Sequence, residues 1–337
     1  MSRGFEIGLG LQSDKRPGAY ARLARIAEEH GIDVVSVFGD LMYQPPIFPL
    51  LEMAAATSRV RLGPACLNPF SMAPYEIAGQ LAALDLASGG RAYLGLARGT
   101  WLGEVGLAQP RPLTALAECA EVVYRLLGGS TSGFTGEVFS LAPGTALRYP
   151  VQRARPPLLI GAWGARGAAL AGRVADEIKV GGSANPAMVE VIRERLRPGA
   201  EQAGRPVDDV GVVLGAVTVV DADGRAARAR ARREVAMYLA VVAELDPTAH
   251  VPAGLLERVR AEVAAGRDDA AGALIPDDLL DLFAFSGTPE QVAAQARRLI
   301  DAGVRRVEFG TPHGLSDDGG VRLLATEVVP MLRQAAR

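Results

Sequence analysis

The order of apolar segments predicts an α/β fold: a (β/α)8 TIM barrel with a helical insertion between strand seven and helix seven. Three observations carry that expectation. Short apolar strands alternate with amphipathic helices along most of the 337 residues, as a parallel sheet with crossover helices requires. Eight such strands can be counted, the number that closes a barrel. No Gly-x-Gly-x-x-Gly follows the first strand, so an open dinucleotide-binding sheet loses its main support. The chain is read as one domain over residues 1–337, with 221–286 as the insertion.

The elements follow in order. Phe5 to Leu11 reads as the first strand and Pro17 to His30 as a helix with Tyr20, Leu23, Ile26 and Ala27 on one face, closed by Gly31. Strands at Val34 to Phe38, Val60 to Gly63 and Ala92 to Leu96 pair with helices at Ile47 to Ala56, Pro74 to Ala87 and Leu113 to Leu127. A polar stretch with a hairpin at Gly133 to Leu141 follows. Leu158 to Gly161 and Ala175 to Val180 are strands five and six, with helices Arg166 to Arg173 and Ala187 to Ala203. Val210 to Val220 is almost entirely Val, Leu, Gly and Ala, as a strand covered on both faces should be. Arg225 to Phe285 is too long for one barrel helix and reads as a helical insertion; Thr288 then caps a helix running to Ala302. Val304 to Phe309 is the eighth strand, and Gly320 to Ala335 the closing helix.

An apolar share of 49%, a charged share of 22% and a net charge of -2 are too balanced for a nucleic-acid or anionic-membrane partner. That leaves a small molecule. Arg, Asp, Glu or Gly interrupts every apolar run before it reaches bilayer length. The two cysteines, Cys66 and Cys119, lie far apart without metal-ligand spacing, and no basic-then-apolar leader opens the chain, which reads as a reducing cytoplasm. No Walker loop, Ser-His-Asp arrangement or clustered metal ligands emerge, so no metal is expected.

In a barrel of this kind the loops after the strand C-termini form the site. They carry Asp40, Cys66 and Asn68, Arg98 to Trp101, Trp163 to Arg166, Gly181 to Ser183, and His313. Asp40 can accept a hydrogen bond from a bound ring or hold a proton, or can simply cap a turn. The prolines and small residues of Gly63 to Pro69 (GPACLNP) predict a bulge at the end of strand three. Cys66 reads as a packing residue, because no histidine or lysine beside it in sequence lowers its pKa. Gly161 to Gly167 (GAWGARG) opens a helix next to Gly181-Gly182-Ser183. Free N–H groups at a helix start attract phosphate, and Arg166 can add a charge. Glu177 and Lys179 share one face of strand six, read as the barrel interior, where a buried Glu–Lys pair is more a structural than a catalytic feature. His30 ends a helix and His250 lies in the insertion, so His313 is the one histidine placed for chemistry, although it can also merely line its loop.

Taken together, these motifs resemble the bacterial-luciferase-like superfamily, and within it the coenzyme F420-dependent reductases that include methylenetetrahydromethanopterin reductase. The likeness runs along nearly the whole chain. Its landmarks are Gly31-Ile32-Asp33 with Gly39-Asp40, Arg61 to Gly63 with Asn68-Pro69, Leu86 to Arg91 with Leu94 to Gly99, Pro157 to Gly161, Ala175-Asp176 with Gly181-Gly182, and Ser286 to Glu290 with Ala302 to Val304. The resemblance implies that F420 lies across the mouth. Its ring would rest on the strand-three bulge, with the family's non-proline cis bond at Ala65–Cys66, followed by Leu67 and Asn68.

By the same resemblance Asp40 sits near the ring, and Arg98, Gly99, Thr100 and Gly103 follow the ribityl chain. Trp163, Gly164, Ala165 and Arg166 with Gly181 and Gly182 form the phosphate end. Tyr43, Phe70 and Trp101 would wall the substrate, with Asp40 and secondarily His313 as catalytic candidates. The chain departs from close relatives at three places. Leu41 stands where sugar-phosphate dehydrogenases of the group have a histidine, Thr100 where they have a glutamate, and Gly8 where the methanopterin reductase has a glutamate on strand one. These differences argue against transferring either substrate. The expected activity is hydride transfer between F420 and a small organic substrate, in the reducing direction, by a homodimer. An FMN-dependent monooxygenase and a non-catalytic cofactor-binding relative are the alternatives.

Overall fold

The computed structural model describes residues 4–316 and 318–334. Eight parallel strands form the barrel. In chain order they are β1 (Glu6–Leu11), β2 (Val34–Val37), β3 (Arg61–Pro64) and β4 (Leu94–Ala97), then, after a small hairpin of β5 (Phe134–Thr135) and β6 (Ser140–Leu141), β7 (Leu158–Gly161), β8 (Glu177–Gly181), β9 (Gly211–Val220) and β11 (Arg306–His313). Around the barrel their order is β3-β2-β1-β11-β9-β8-β7-β4. Closure between β3 and β4 rests on bridges from Leu62 to Ala92 and from Leu67 to Leu96.

The first four helices are α1 (Ala19–Glu29), α2 (Ile47–Ala56), α3 (Pro74–Ala87) and α4 (Pro112–Leu127). Next come α5 (Ala165–Val174) and α6 (Met188–Gln202), both beyond the hairpin. The segment read as a helical insertion holds α7 (Gly224–Val242), α8 (Leu255–Ala264), α9 (Asp268–Ala273) and α10 (Asp277–Phe283). It ends in a strand, β10 (Ala284–Gly287), which pairs in parallel with the outer half of β9. Phe285 is therefore strand and not helix, because the long β9 runs past the end of β8 and leaves an edge that β10 fills. The helix α11 (Pro289–Asp301) carries a Thr288 cap and leads to β11. The closing helix is broken into α12 (Gly319–Leu323), a wider turn over Leu324–Val328, and α13 (Val329–Gln334), while Ala335 lies outside the described residues. No helix of the described residues is long and apolar enough to cross a membrane.

Most of the apolar core lies between strands and helices. Inside the barrel the packing is different. One small layer of Val34, Tyr93, Leu159 and Val213 is apolar, and the rest is an alternating ladder of charge. Arg61 Nη2 lies 2.6 Å from Glu6 Oε2 and 3.2 Å from Glu177 Oε1. Arg306 Nη1 lies 3.1 Å from Glu177 Oε2, and Glu308 takes the Lys179 ammonium and the Ser36 hydroxyl, the latter at 2.7 Å. Glycines make room for these long side chains. A Cβ on Gly8 would sit 3.1 Å from both Arg306 Cδ and Glu308 Cγ, and one on Gly63 2.5 Å from the Tyr93 ring.

Glu177 and Lys179 are buried on one face, as read from their spacing, but they do not pair with each other. Their partners come from other strands, chiefly Arg306 and Glu308 of β11, because β8 and β11 flank β9 and turn these side chains into the same interior. Burial alone would raise the pKa values of Glu177 and Glu308. The cations beside them bring both below the ordinary carboxylate value. Removing a partner from such an arrangement strands a charge in low dielectric. Arg306→Met, which leaves Glu177 and Glu308 facing each other, is expected to cost about 3–5 kcal/mol in urea unfolding. A loss under about 1 kcal/mol would mean that the ladder carries little of the stability.

Candidate active site

The mouth is built by chain segments that leave the strands at their C-terminal ends. After β3 the peptide bond between Ala65 and Cys66 is cis, at the position the resemblance implied. The bulge is stitched to both neighbouring strands: Ala65 N donates to Val37 O (2.8 Å), Leu67 N to Gly95 O (2.9 Å), and Ala97 N to Leu67 O (2.9 Å). Gly95 lets the strands come this close, since a Cβ there would lie 2.0 Å from Pro64 O. Asn68 is buried, and its Oδ1 accepts the N–H groups of Phe70 (3.1 Å) and Ser71 (2.9 Å). That turn holds half-buried Phe70 beside the bulge.

The loop after β4 passes over this turn. A Cβ on Gly99, whose φ is 82°, would sit 3.1 Å from the Asn68 amide carbon. Gln109 Nε2 donates to the carbonyls of Arg98 and Gly99. Arg98, Thr100 and Gly103 face solvent, and Trp101 is 52% exposed in a left-handed conformation. On the far side of the bulge Tyr43 is 49% exposed. Loops after β2 and β4 thus flank the bulge and present aromatic rings to the opening.

Next around the rim, on the far side of β4 from the bulge, Trp163 ties the loops after β7 and β8 together. Its Nε1 donates to Gly181 O at 2.9 Å, and its own carbonyl accepts Arg195 Nη1 at 2.7 Å. Gly164, Ala165 and Arg166 are exposed at the start of α5, whose first-turn N–H groups have no acceptor within the helix. A Cβ at Gly164 or Gly181 would meet nothing within 4 Å. Gly182 is different: its N–H donates to Gly215 O at 2.6 Å, and a Cβ there would lie 3.1 Å from Val242. It shapes a turn against α7 and has no free donor.

Asp40 stands exposed at the rim after β2. The protein walls around its carboxyl push its pKa up from the ordinary value, while the Gln12 amide and the Lys179 ammonium act in the opposite sense. Cys66 is half-buried, and burial drives its thiol up to about 12, so it is a neutral packing group. His313 does not follow the eighth strand but ends it, because β11 runs four residues further than the apolar pattern suggested. It is 1% exposed, with Nε2 on the carbonyls of Gly10 (3.0 Å) and Phe309 (3.2 Å). Both contacts are carbonyls, so Nε2 carries the proton and donates. The geometry joins β1 to β11 with this ring and takes it out of reach of a ligand in the mouth.

Cys66 lies within reach of the charges of Asp40, Lys179 and Glu308. Sequence reasoning missed Gln12, Phe38, Arg306 and Glu308. A signal for the last two was present: Arg306 and Glu308 alternate on an apolar strand with the same two-residue spacing as Glu177 and Lys179. Also missed was a buried clasp in which Asn185 Nδ2 donates to Asp246 Oδ2 (2.8 Å) and Thr248 Oγ1 (2.7 Å), fastening the loop after β8 to the segment after α7. Among the described residues no group of three or more His, Cys, Asp or Glu converges as a metal site would.

A family model described as luciferase-like monooxygenase matches residues 4–306. The chain belongs to this family. It is 27% identical over 345 aligned positions to a 5,10-methylenetetrahydromethanopterin reductase of Methanopyrus kandleri, covering 97% of this chain and 99% of that one. It is 29% identical to an F420-dependent glucose-6-phosphate dehydrogenase of Nakamurella multipartita, with coverage of 94% and 93%. Among solved structures, the coenzyme F420-dependent tetrahydromethanopterin reductase of Methanopyrus kandleri superposes with a TM-score of 0.86 at 26% identity, over 98% of this chain and 99% of that one. The barrel and the family expected from the motifs are both found.

Burial holds His313 neutral and lowers its pKa from 6.5 to about 4. The unfolded chain therefore takes up this proton at higher pH than the folded one. Stability from this group is complete above pH 6.5 and falls as pH drops toward 4, by about 3 kcal/mol in all. His313→Gln retains an N–H donor for Gly10 O but cannot titrate. Its Tm should fall less than that of the wild type between about pH 7 and about pH 5. Equal slopes would show that His313 is not buried neutral.

Proposed function

We propose that the protein is a coenzyme F420-dependent oxidoreductase that passes a hydride between the deazaflavin and a small organic substrate, working as a reductase. The observation that carries this reading is the shape of the rim. A backbone floor at Ala65–Cys66 lies at one side, and an open glycine turn at the start of α5 lies at the other. Support comes from the glucose-6-phosphate dehydrogenase relative and the structurally similar reductase, both of matching length and both described as F420-dependent.

The residues present suit a flat ring with an anionic tail. Leu67, Asn68 and the cis-linked pair before them form a stitched ledge against which a planar ring can lie. Gly164 and Gly181 leave room for close approach, and the unpaired N–H groups of Ala165 and Arg166 favour negative charge, as does the exposed Arg166 guanidinium. Arg98, Gly99, Thr100 and Gly103 line the path between them, with Trp163 holding the far loops in place. When bound, the deazaflavin supplies a ring carbon that gives or accepts the hydride. The chain itself orients the two reactants, excludes water with Tyr43, Phe70 and Trp101, and holds or moves a proton at the Asp40 carboxyl. His313 takes no part in this reading, since it is buried, and Gly182 contributes shape only.

A small organic molecule is the proposed substrate, in a cytoplasmic enzyme. A second copy of the chain is the proposed partner, with exposed Phe48 on α2 and Tyr75 on α3 as apolar surface for it to cover. Sedimentation at the monomer mass would remove the dimer.

Cofactor choice is tested directly by titrating the purified protein with F420 and with FMN and following fluorescence quenching. F420 binding without comparable FMN binding is the expected result. Tight FMN binding with none for F420 would move the protein to the monooxygenase reading. F420 binding with no turnover across a broad carbonyl and alkene panel would favour a non-catalytic role. Gly164→Val should weaken F420 binding by about tenfold or more, about 1.4 kcal/mol, with Tm unchanged because the site is open. Unaltered affinity would remove the phosphate assignment.

A further inference from the structure

We propose that Gln109 is a positioning residue: its side-chain amide closes the neck of the loop after β4 and holds that loop, with Trp101 on it, as a preformed wall of the mouth. The inference rests on the reading of residues 98–103 as the path along the cofactor.

Other segments of the mouth are tied down several times over. The bulge after β3 is stitched to β2 and β4 through its backbone, and Asn68 holds the turn that follows. Ser13 Oγ donates to Gln44 O (2.7 Å) and Gln44 N to Ser13 O (3.2 Å), which fixes the loop after β2. The loop after β4 has no such set of ties. Among the described residues, the side-chain hydrogen bonds that reach residues 98–108 are those of Gln109 alone, whose Nε2 donates to Arg98 O and, at 3.2 Å, to Gly99 O. Beyond these, the loop bonds to itself: Glu104 N donates to Trp101 O (2.9 Å), Gly106 N to Gly103 O (3.1 Å) and Leu107 N to Leu102 O (3.0 Å).

Those internal bonds give the loop a shape but not a place. Its place comes from two anchors. Leu102 is buried, and a Cβ on Gly99 would sit 3.0 Å from Leu102 Cδ1, so the leucine lies against the neck. Gln109 is the second anchor, joining the exit of the loop to the two carbonyls at its entry. Pro110 and Pro112 restrict the backbone just beyond the exit. Holding the entry carbonyls therefore holds both ends together.

The neck controls the backbone that lies on the ledge. Gly99, with φ 82°, rests on the buried Asn68, whose Cγ would be 3.1 Å from a Cβ at that position. Two residues on, Trp101 keeps φ at 58° with its ring exposed, a conformation disfavoured for a bulky residue. Such a backbone persists only where its surroundings over-determine it. A loop that keeps Trp101 in place before a ligand arrives does not have to be ordered by that ligand, and the avoided ordering cost appears as affinity. A glutamine that merely capped two carbonyls would leave Trp101 and cofactor affinity untouched.

The test follows Trp101 itself. Trp101 and Trp163 are the two tryptophans of the chain, so in Trp163→Phe the emission belongs to Trp101, and its time-resolved anisotropy in the cofactor-free protein reports the loop. Gln109→Leu in that background is expected to add a nanosecond segmental component that the parent lacks, with Tm within about 2 °C. Gln109→Glu, which keeps the shape and loses the donor, should do the same. Gln109→Lys, which keeps a donor, should return toward the parent. With Trp163 restored, Gln109→Leu should bind F420 about three- to tenfold more weakly than the wild type. An unchanged Trp101 decay in folded Gln109→Leu or Gln109→Glu would overturn the proposal. So would a freed Trp101 with wild-type F420 affinity, which would leave Gln109 a structural tie. If the wild type itself fails to bind F420, the cofactor reading falls, and the Trp101 decay alone decides whether Gln109 holds the loop.

Discussion

The rest of the molecule depends on an exchange inside the barrel, where glycine on one strand faces a long charged side chain on another. Gly8 accommodates Arg306 and Glu308, Gly63 accommodates Tyr93, and Gly10 accommodates the tip of Phe38. A barrel interior is ordinarily filled by layers of branched apolar residues. Here one apolar layer is kept, and the remaining volume is filled by ion pairs whose hydrogen bonds and charges must all be satisfied among themselves. This arrangement is stiff, since no member can move without stranding another. It reaches the end of β2, where Lys179 Nζ lies 4.9 Å from the centroid of the Phe38 ring. Arg306 Nε and Nη2 lack hydrogen-bond partners, which marks that side chain as the point where the packing is least complete.

Much of the fold was legible because barrel strands buried on both faces are short apolar runs, and the helices between them carry clear amphipathic faces. The failures have physical causes. Residues 284–287 are too short and too close to helical neighbours to be read as a strand, and β10 exists only because β9 outruns β8. Interior charges could be placed on a face by parity, but parity cannot name a partner on a strand more than a hundred residues away, so Lys179 was given Glu177 instead of Glu308. The site was legible where backbone chemistry shows in composition, as in the proline-rich bulge and the glycines before α5. It was illegible where a glycine serves two roles: nothing in the sequence separates open Gly181 from Gly182, whose N–H is already used. His313 reads from sequence as a loop residue after the eighth strand, whereas the strand continues through Thr311 and Pro312 to the histidine itself.

The segment from α7 to α10 is bound into the rim by specific contacts. Val242 and Tyr238 of α7 pack where Gly182 turns, and Asn185 clasps Asp246 and Thr248 through buried hydrogen bonds. The loop after β8 therefore cannot shift without disturbing the end of α7. In the proposed enzyme this couples the cofactor's anionic end to the helices nearest the opening, and it gives the segment that varies most from a minimal barrel a defined seat.

The interior exchange also bears on substrate. A Cβ at position 8 would lie 3.1 Å from Arg306 Cδ and Glu308 Cγ, so a strand-one glutamate of the kind the resemblance assigns to methanopterin reductase would require the ladder side chains to shift. With Leu41 and Thr100 in place of the polar residues expected from sugar-phosphate dehydrogenases, the polar chemistry at the rim contracts toward Asp40, set between exposed Tyr43 and Trp101. In the proposed enzyme, recognition of the substrate rests mainly on shape and apolar contact, with Asp40 as the proposed proton-bearing group.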